Sequence, residues 1–561
     1  MYYKDKTDKM LYPVYGFVTG VIIFIIIYGV KVLNPLYVDW LLGKGDLTQH
    51  YLGAQFFCRS NWKFPIGLSN RLAYPIETSV IFTDSIPIFA IPLKLFSIFL
   101  PDNFQYFGVF GLLSMGFQGY FAVKIFNVWK VDWRIVLIGI VFFITAPIML
   151  YRMFMHTSLG AQWIILAAIY LYLRYDNKEC VKFAIYWGLL GFFVIGVHTY
   201  FFPMCFFFVL GSAVSKITSE KRIRIYYFVP VVTYVLGAIL NFWLLGGFSS
   251  SAIGEADGFK AYSFNLNSFF NPRGFSRIIP KLDSASDFQH EGFAYLGAGV
   301  ICLLIICIVI SCINFFTINK NRIRIQTIDL ILICIGAIYL SIAISPVISF
   351  GDKELIEIPI PQMIAKIWGV FRATGRFIWP VWYLLVLYSI RKIQKLGIKV
   401  GIVVLVGCMI LQIFDISNVL KSKHKWLTKT NVYKYTDDEF WQQLTQYREF
   451  KHICISFTDY KIDKWLKLGA IALKYDLTTN AFYFAREIDG MRDNTEVLKW
   501  KEPNEDSIYV FLPEQTEMLK DNMHSLRYYY LEDFVVGISW LEKDGTVNNF
   551  LYEQVKNTFM K

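Results

Sequence analysis

Runs of about 20 apolar residues alternate with short polar segments over the first three quarters of the chain. A helix needs a run of that length to cross the hydrocarbon core of a bilayer. The pattern predicts a multi-pass α-helical membrane domain over residues 1–418. Its eleven predicted spans are residues 11–33, 104–124, 134–150, 158–174, 182–198, 201–215, 225–246, 293–316, 327–348, 377–391 and 399–417.

The pattern changes after Asp437. Amphipathic stretches and short strand-like runs alternate there, at residues 438–450, 452–457, 460–475, 481–485 and 507–512. This alternation is typical of a small α/β domain. We predict a water-soluble domain at residues 419–561 that folds on its own, because its amphipathic segments can bury a core.

Lysine and arginine concentrate in short loops between the spans, at residues 124–134, 174–182, 216–224, 320–324 and 391–399. If the eleven spans are correct, all of these loops lie on the side of the N-terminus. Cytoplasmic loops carry such an excess of basic residues. The N-terminus is therefore predicted to be cytoplasmic, and the odd number of spans places residues 419–561 outside. The long outer loops are then residues 34–103, 247–292 and 349–376.

One further apolar segment, residues 85–100, is interrupted by Pro87 and Pro92 and contains Lys94. We predict a helix that lies in the outer membrane interface rather than a span. The alternative is a twelfth span, which would place every later basic loop on the other side.

Composition supports a lipid environment, since 55% of residues are hydrophobic and 17% are charged, against about 25% charged in soluble domains. The net charge of +12 is spread over the short loops, so a nucleic-acid partner is not indicated. The nine cysteines show no paired spacing, so neither a disulfide framework nor a zinc site is predicted.

Candidate chemistry lies in the first outer loop. Asp46 and His50 are four residues apart and would share one face of a helix. A carboxylate there can act as a general base, or can bind a divalent cation together with the histidine. Asp84 supplies a second carboxylate for a cation or for sugar hydroxyls. The alternative role of both aspartates is N-capping of a surface helix.

Four histidines, His50, His156, His198 and His290, fall at predicted outer ends of spans. Arg152 lies near His156 in the sequence, and Glu291 closes the second long outer loop. Arg372 and Arg376 precede the tenth span, are four residues apart and would share one helical face if the helix of that span starts early. Arginine binds phosphate through two parallel hydrogen bonds. The alternative for the arginines is snorkelling from the membrane interface.

Six stretches, GDLTQHYLGAQFF, FTDSIP, RMFMHTSLGAQW, GVHTYFF, EGFAYLG and FRATGRFIWP, resemble the GT-C superfamily of membrane glycosyltransferases, and most closely a bacterial branch. The resemblance covers residues 10–418 and only weakly the tail. It implies a GT-C-like fold in the bacterial cytoplasmic membrane and a polyprenyl-phosphate-linked sugar as donor. It maps the family's essential acidic residue of the first outer loop onto Asp46, and implies that histidines and arginines of later outer loops contact the lipid phosphate.

The chain departs from that family in two respects. The first loop contains no DxD or DxE pair, and the WWDxG-like signature of oligosaccharyltransferases does not occur. A metal requirement and a peptide acceptor are therefore unsupported, and a cation bound by Asp46 and His50 stays open.

The predicted function is an inverting sugar transfer to a glycan or lipid acceptor on the outer side of the membrane. Asp46 acts as base, with Asp84 as a second catalytic candidate. The substrate-binding candidates are His50, Arg152, His156, His198, Glu291, Arg372 and Arg376. The alternatives are a transporter or flippase of lipid-linked saccharides, although no inverted repeat is visible, and a polysaccharide polymerase.

Overall fold

The computed structural model describes residues 4–43, 45–176, 179–249, 259–317, 326–429, 432–457, 462–482, 503–515 and 526–539. The chain forms two compact units. The first contains residues 1–34, 106–241 and 255–430, and the second contains residues 35–105, 242–254 and 431–561.

The first unit is almost entirely helical. Its helices are α1 (Lys4–Tyr28), α4 (Phe107–Val128), α5 (Trp133–Ile144), α6 (Pro147–Arg152), α7 (Trp163–Arg174), α8 (Cys180–Val197), α9 (Phe201–Glu220), α10 (Val229–Leu244), α11 (Ala298–Thr317), α12 (Thr327–Ile344), α13 (Gln362–Gly369), α14 (Trp379–Ile393) and α15 (Ile398–Thr428). Strands β3 (Val347–Phe350) and β4 (Lys353–Glu357) form an antiparallel hairpin. Of the helices in the described residues, seven are long and apolar enough to cross a membrane.

Each of the eleven predicted spans contains a helix. The seven long apolar helices are Phe107–Val128, Trp133–Arg152, Cys180–Val197, Phe201–Glu220, Ile225–Leu244, Thr327–Ile344 and Ile398–Thr428, and three shorter apolar helices are Tyr12–Tyr28, Trp163–Arg174 and Ala298–Ile313. The predicted class, a multi-pass α-helical membrane protein with a small C-terminal α/β region, is confirmed. The exact number of crossings stays a prediction.

Glycines let the backbones of α1 and α4 touch. A Cβ atom on Gly16 would lie 2.4 Å from the carbonyl oxygen of Gly119, and one on Gly20 would lie 2.1 Å from that of Met115. Lipid tails are as apolar as leucine, so close backbone packing of this kind is a main source of attraction between membrane helices. An alanine at Gly16 or Gly20 would force the two helices apart.

The second unit combines the first long loop with the C-terminal residues. It contains α2 (Gly45–Arg59), α3 (Pro87–Leu95), α16 (Asp438–Tyr447) and α17 (Ile462–Lys474), with a small ladder of β1 (Leu68–Ser69) and β2 (Thr78–Ser79). Its main sheet has the order β6-β5-β7-β9-β8, from Thr478–Thr479, His452–Ile455, Ser507–Phe511, Val535–Ser539 and Leu526–Tyr530. Strand β5 is parallel to both β6 and β7, and the other pairs are antiparallel. Helix α17 packs on α2.

A segment of the first loop, residues 71–74, pairs with the outer edge of β6 through one isolated parallel bridge between Leu72 and Thr479. The amide of Thr479 donates to the carbonyl of Arg71 at 3.0 Å, and the amide of Tyr74 donates to the carbonyl of Thr479 at 3.2 Å. Arg71 also forms a forked pair with Asp476 at 2.5 and 3.2 Å. The ring of Tyr74 stacks on His452 at 3.9 Å. The edge of β6 is therefore covered by a segment from outside the predicted tail domain, and independent folding of the tail stays a prediction.

Residues 85–100 form only the nine-residue helix α3 and a 3-10 turn at Ser97–Phe99. Nine residues of helix extend about 14 Å, less than half of the ~30 Å hydrocarbon core. Ile98 and Phe99 are 83% and 79% exposed. The segment is too short to cross, as predicted, and its place in the membrane interface stays a prediction.

Candidate functional site

A buried carboxylate, Glu291, binds two arginines in the first unit. Glu291 lies in a 3-10 turn (Asp287–Gly292), Arg152 ends α6, and Arg376 lies in a 3-10 turn (Thr374–Ile378). Arg152 donates from Nη2 and Nη1 to the two carboxylate oxygens at 2.5 and 3.3 Å, and Arg376 donates from Nε at 2.7 Å. The three side chains are 6%, 1% and 10% exposed. We call them the Glu291 cluster.

The backbone around Glu291 is compact because two glycines meet there. A Cβ atom on Gly375 would lie 2.6 Å from the Cα atom of Gly292. The amide of Gly375 donates to the carbonyl of Tyr262 at 2.9 Å. A larger residue at either glycine would separate Arg376 from Glu291, so the glycines of EGF and ATGRF are required by this contact.

The Glu291 carboxyl is ionised. Burial raises its pKa, but Arg152 and Arg376 outweigh burial and hold the pKa well below its ordinary value. Two guanidinium groups and one carboxylate leave the cluster with a net charge of +1. The Nε of Arg152 is buried and has no hydrogen-bond partner in the described part of the chain. The cluster can therefore attract and bind an additional anion.

Two of the four predicted histidines contact the Glu291 cluster, and a third, His198, lies beside Tyr200, whose ring covers Arg376. His156 Nδ1 lies 3.5 Å from Nη1 of Arg152, and His290 Nε2 lies 3.5 Å from Oε1 of Glu291. His198 accepts a hydrogen bond from the amide of Tyr200 at 3.2 Å. The binding roles predicted for these histidines stay predictions.

Aromatic rings cover both arginines of the cluster. The ring of Tyr200 lies 4.5 Å from Cζ of Arg376, and the rings of Tyr151 and Trp379 lie 5.0 and 5.7 Å from Cζ of Arg152. Such contacts attract a guanidinium group and fix its plane. Both arginines are therefore oriented by rings as well as by the carboxylate, and simple snorkelling from the membrane interface does not describe them.

Arg372 and Arg376 do not share a helical face, so that part of the prediction is wrong. Helix α14 begins only at Trp379, with Pro380 in its first turn, and Arg372 precedes the 3-10 turn that contains Arg376. Arg376 points to Glu291, whereas Cζ of Arg372 lies 5.4 Å from the ring of Tyr262. The two arginines therefore have different surroundings.

In the second unit, the stretches GDLTQHYLG and FTDSIP are packed together. The Nε2 of His50 lies 3.6 Å from Oδ2 of Asp84, with His50 buried and Asp84 35% exposed. Ser85 donates to the carbonyl of His50 at 2.8 Å. A Cβ atom on Gly53 would lie 2.7 Å from Oγ of Ser85, so a glycine is needed for this approach.

Asp84 does not cap α3. The residue at the N-cap position is Ile86, and no side chain caps the helix, so the alternative role considered for Asp84 is wrong. Asp84 instead has a φ of +52°, a left-handed conformation that is costly for a residue other than glycine and is often found at functional sites. That conformation accompanies the approach of its carboxylate to His50.

Asp46 lies in the first turn of α2, one turn before His50. Within the described ranges, no three histidine, cysteine, aspartate or glutamate side chains gather closely enough to hold a metal ion. The metal hypothesis for Asp46 and His50 stays a prediction, as do the roles assigned to all the candidate residues.

The profile of the family described as Domain of unknown function (DUF6311) matches residues 17–417. The chain belongs to the DUF6311 family. The profile of the DUF6311 C-terminal domain matches residues 440–539, so both parts of the chain are characteristic of this family. No curated protein matches the chain.

Among solved structures, the DUF6311 chain is similar to the archaeal oligosaccharyltransferase AglB from Archaeoglobus fulgidus, in complex with an inhibitory peptide and a dolichol-phosphate. The two are 11% identical, with a TM-score of 0.45, over 96% of this chain and 74% of that chain. The apo form of the Archaeoglobus fulgidus oligosaccharyltransferase gives a TM-score of 0.44 at the same identity and coverage.

The aromatic residues of the site and its carboxylate–arginine pairing were missed by the sequence reasoning. Tyr200 and Trp379 lie inside the quoted stretches GVHTYFF and FRATGRFIWP, two residues after His198 and three residues after Arg376. An aromatic residue within three positions of a candidate arginine or histidine was the sequence signal that could have identified Tyr200 and Trp379. Tyr262 lies in none of the quoted stretches, and we find no sequence signal for it.

Proposed function

We propose that this DUF6311 protein is a GT-C-like membrane glycosyltransferase. It transfers a sugar from a polyprenyl-phosphate carrier to a glycan or lipid acceptor on the outer side of the bacterial cytoplasmic membrane, and its N-terminus lies in the cytoplasm. The observation that carries the proposal is the Glu291 cluster, where two buried arginines share one ionised carboxylate and keep a net positive charge. The six stretches that resemble GT-C enzymes supply most of the residues involved.

The cluster is suited to a phosphate. Preorganised guanidinium groups stabilise charge that develops on a leaving group because they need no reorganisation during the reaction. Glu291 and the aromatic rings supply that preorganisation for Arg152 and Arg376. Arg372, the more accessible arginine, offers a fork for two parallel hydrogen bonds to phosphate oxygens. His156, His198 and His290 can donate further hydrogen bonds.

The first outer loop supplies the base. In the proposed reaction, Asp46 takes the proton of the acceptor hydroxyl, and the acceptor oxygen forms a bond to the anomeric carbon from the side opposite the phosphate. The bond between the anomeric carbon and the phosphate oxygen breaks, and its electron pair leaves with the carrier phosphate. The configuration at the anomeric carbon is inverted. His50, held beside Asp84, can bind a hydroxyl of the sugar or of the acceptor.

The test is transfer of a labelled sugar from its polyprenyl-phosphate carrier by the purified protein. Asp46→Asn keeps the size of the side chain but removes the base, so the rate should fall by about 100-fold or more. Asp102→Asn, an exposed residue of the same loop, is the matched control and should leave the rate unchanged. Asp84→Asn should give an intermediate loss, because it removes the partner of His50.

The same preparation in liposomes separates an enzyme from a transporter. A transporter would move the intact lipid-linked sugar across the bilayer and leave the bond to phosphate unbroken. Movement without cleavage would overturn the proposed function. Full activity of Asp46→Asn, with cleavage retained, would remove only Asp46 from the mechanism.

A further inference from the structure

A lysine of helix α15 contacts the turn that follows Arg152. The ammonium of Lys423 donates to the carbonyl of Met153 at 3.2 Å. Met153 is the C-terminal cap of α6 and directly follows Arg152. The amide of His156 in turn donates to the carbonyl of Arg152 at 3.0 Å, which closes the turn. Arg152, His156 and the carbonyl that binds Lys423 therefore belong to one closed segment.

The position of Lys423 along α15 suits a lipid headgroup. Helix α15 has 31 residues, which correspond to about 46 Å at 1.5 Å per residue. The hydrocarbon core is ~30 Å thick, so the end of α15 extends beyond the core. Lys423 lies in the last two turns, at the end that the predicted topology places outside.

The ammonium group of Lys423 has further hydrogen-bond donors that can bind an anion. An ammonium group has three hydrogen-bond donors. Among the described residues, the Met153 carbonyl is the one acceptor that Lys423 uses, and Lys423 has no carboxylate partner there. The side chain is only partly exposed, whereas Lys421 and Lys425 on the same helix are exposed. A partly buried cation without a counter-ion favours a bound anion.

We propose that Lys423 binds the phosphate of the lipid carrier and compensates the charge that appears on it as the sugar leaves. This inference rests on the proposed function. The sugar-linked phosphodiester carries one negative charge, whereas the released monoester carries about −1.5 to −2. The Glu291 cluster has a net charge of +1, and Lys423 adds a second positive charge. Together they match the charge of the product and of the leaving group in the transition state.

The experiment measures binding by calorimetry with the purified full-length protein in detergent. Farnesyl phosphate is the monoester probe, methyl farnesyl phosphate the singly charged diester, farnesol the uncharged tail, and inorganic phosphate the free anion. The wild type should bind the monoester best. Lys423→Gln retains a donor for the Met153 carbonyl but loses the charge, so it should weaken monoester binding about tenfold and abolish the preference over the diester.

Two further variants guard against misfolding and non-specific charge effects. Lys423→Arg keeps the charge and should keep the preference for the monoester. Lys425→Met removes an exposed lysine nearby and should bind like the wild type. Lys423→Gln variants should show a normal melting transition before their binding is compared.

Four results would overturn the inference. If Lys423→Gln keeps the wild-type preference, Lys423 is not part of the phosphate site, while the proposed function stands. If Lys425→Met weakens binding equally, surface charge alone is responsible. If inorganic phosphate binds as tightly as farnesyl phosphate, the site belongs to a free anion. If the wild type binds farnesyl phosphate no better than farnesol, the phosphate site of the proposed function fails as well.

Discussion

Replacing Glu291 with glutamine should lower the stability of the folded protein, because it leaves two buried arginines without a counter-ion. Glutamine has nearly the same shape, but it carries no charge and turns an NH₂ group toward guanidinium donors. Three charge-assisted hydrogen bonds are affected, at 2.5, 3.3 and 2.7 Å. Breaking a buried ion pair by removing one partner costs about 3–5 kcal/mol. Total stability is typically about 5–15 kcal/mol, so the loss should be large.

The matched control is Glu357→Gln. Glu357 binds Lys260 at 2.6 Å, a distance like those of Glu291, but the two side chains are 61% and 41% exposed. Exposed pairs contribute at most about 1 kcal/mol. Thermal melting of purified protein in detergent should therefore show a marked decrease for Glu291→Gln and little change for Glu357→Gln. Added phosphate should stabilise Glu291→Gln more than the wild type, because it can replace the lost carboxylate.

The pH dependence of this difference follows from the lowered pKa of Glu291. A carboxyl group with a depressed pKa in the folded state contributes stability above its ordinary value, near 4.5, and loses it as the pH falls through the folded value. The gap between wild type and Glu291→Gln should therefore be constant between about pH 5 and 8 and shrink under more acidic conditions. Equal melting temperatures at neutral pH would refute the assignment of Glu291 as the shared counter-ion.

Three further predictions concern other parts of the chain. Arg376→Lys should reduce sugar transfer more than Arg372→Lys, because only Arg376 is bound through Nε to Glu291 and lysine cannot reproduce that geometry; equal rates would contradict this. Arg71→Ala should lower the melting temperature of the full-length protein and increase proteolysis of its tail, since it removes the forked pair on the sheet edge, and an unchanged pattern would show that the edge does not depend on it. In a cysteine-free background, Lys130→Cys should resist a membrane-impermeant thiol reagent in intact cells and Gln442→Cys should react; the reverse pattern would show that the predicted topology is inverted.

The helical part of the fold was predictable because each span carries its own signal. A run of about 20 apolar residues is a local property, whereas the orientation inferred from the basic loops stays a prediction. The ends of the helices were harder to predict from the sequence. For example, α15 continues to Thr428, beyond the predicted end of the span at residue 417. The spacing of Arg372 and Arg376 predicted a shared face, but the 3-10 turn before α14 places them differently.

The residue types of the site were predictable from the sequence, but the ion pairs between them were not. Arg152 and Arg376 were chosen for phosphate and Glu291 as a separate binding residue, yet all three form one ion cluster. The pairs are separated by 139 and 85 residues in sequence, and no local pattern specifies contacts over such distances. The bridging segment at residues 71–74 was also missed, since four residues are too short to show the alternation of a strand.

That bridging segment has a consequence for the biosynthesis of the protein. Arg71 and Asp476 are 405 residues apart in the chain. At about 5–20 residues per second, roughly 20 to 80 seconds pass between their synthesis on the ribosome. During this interval the partner of the first loop does not yet exist, so the loop waits with an open backbone edge. Such edges promote aggregation, so the first loop is exposed to that risk until Asp476 and Thr479 have been synthesised.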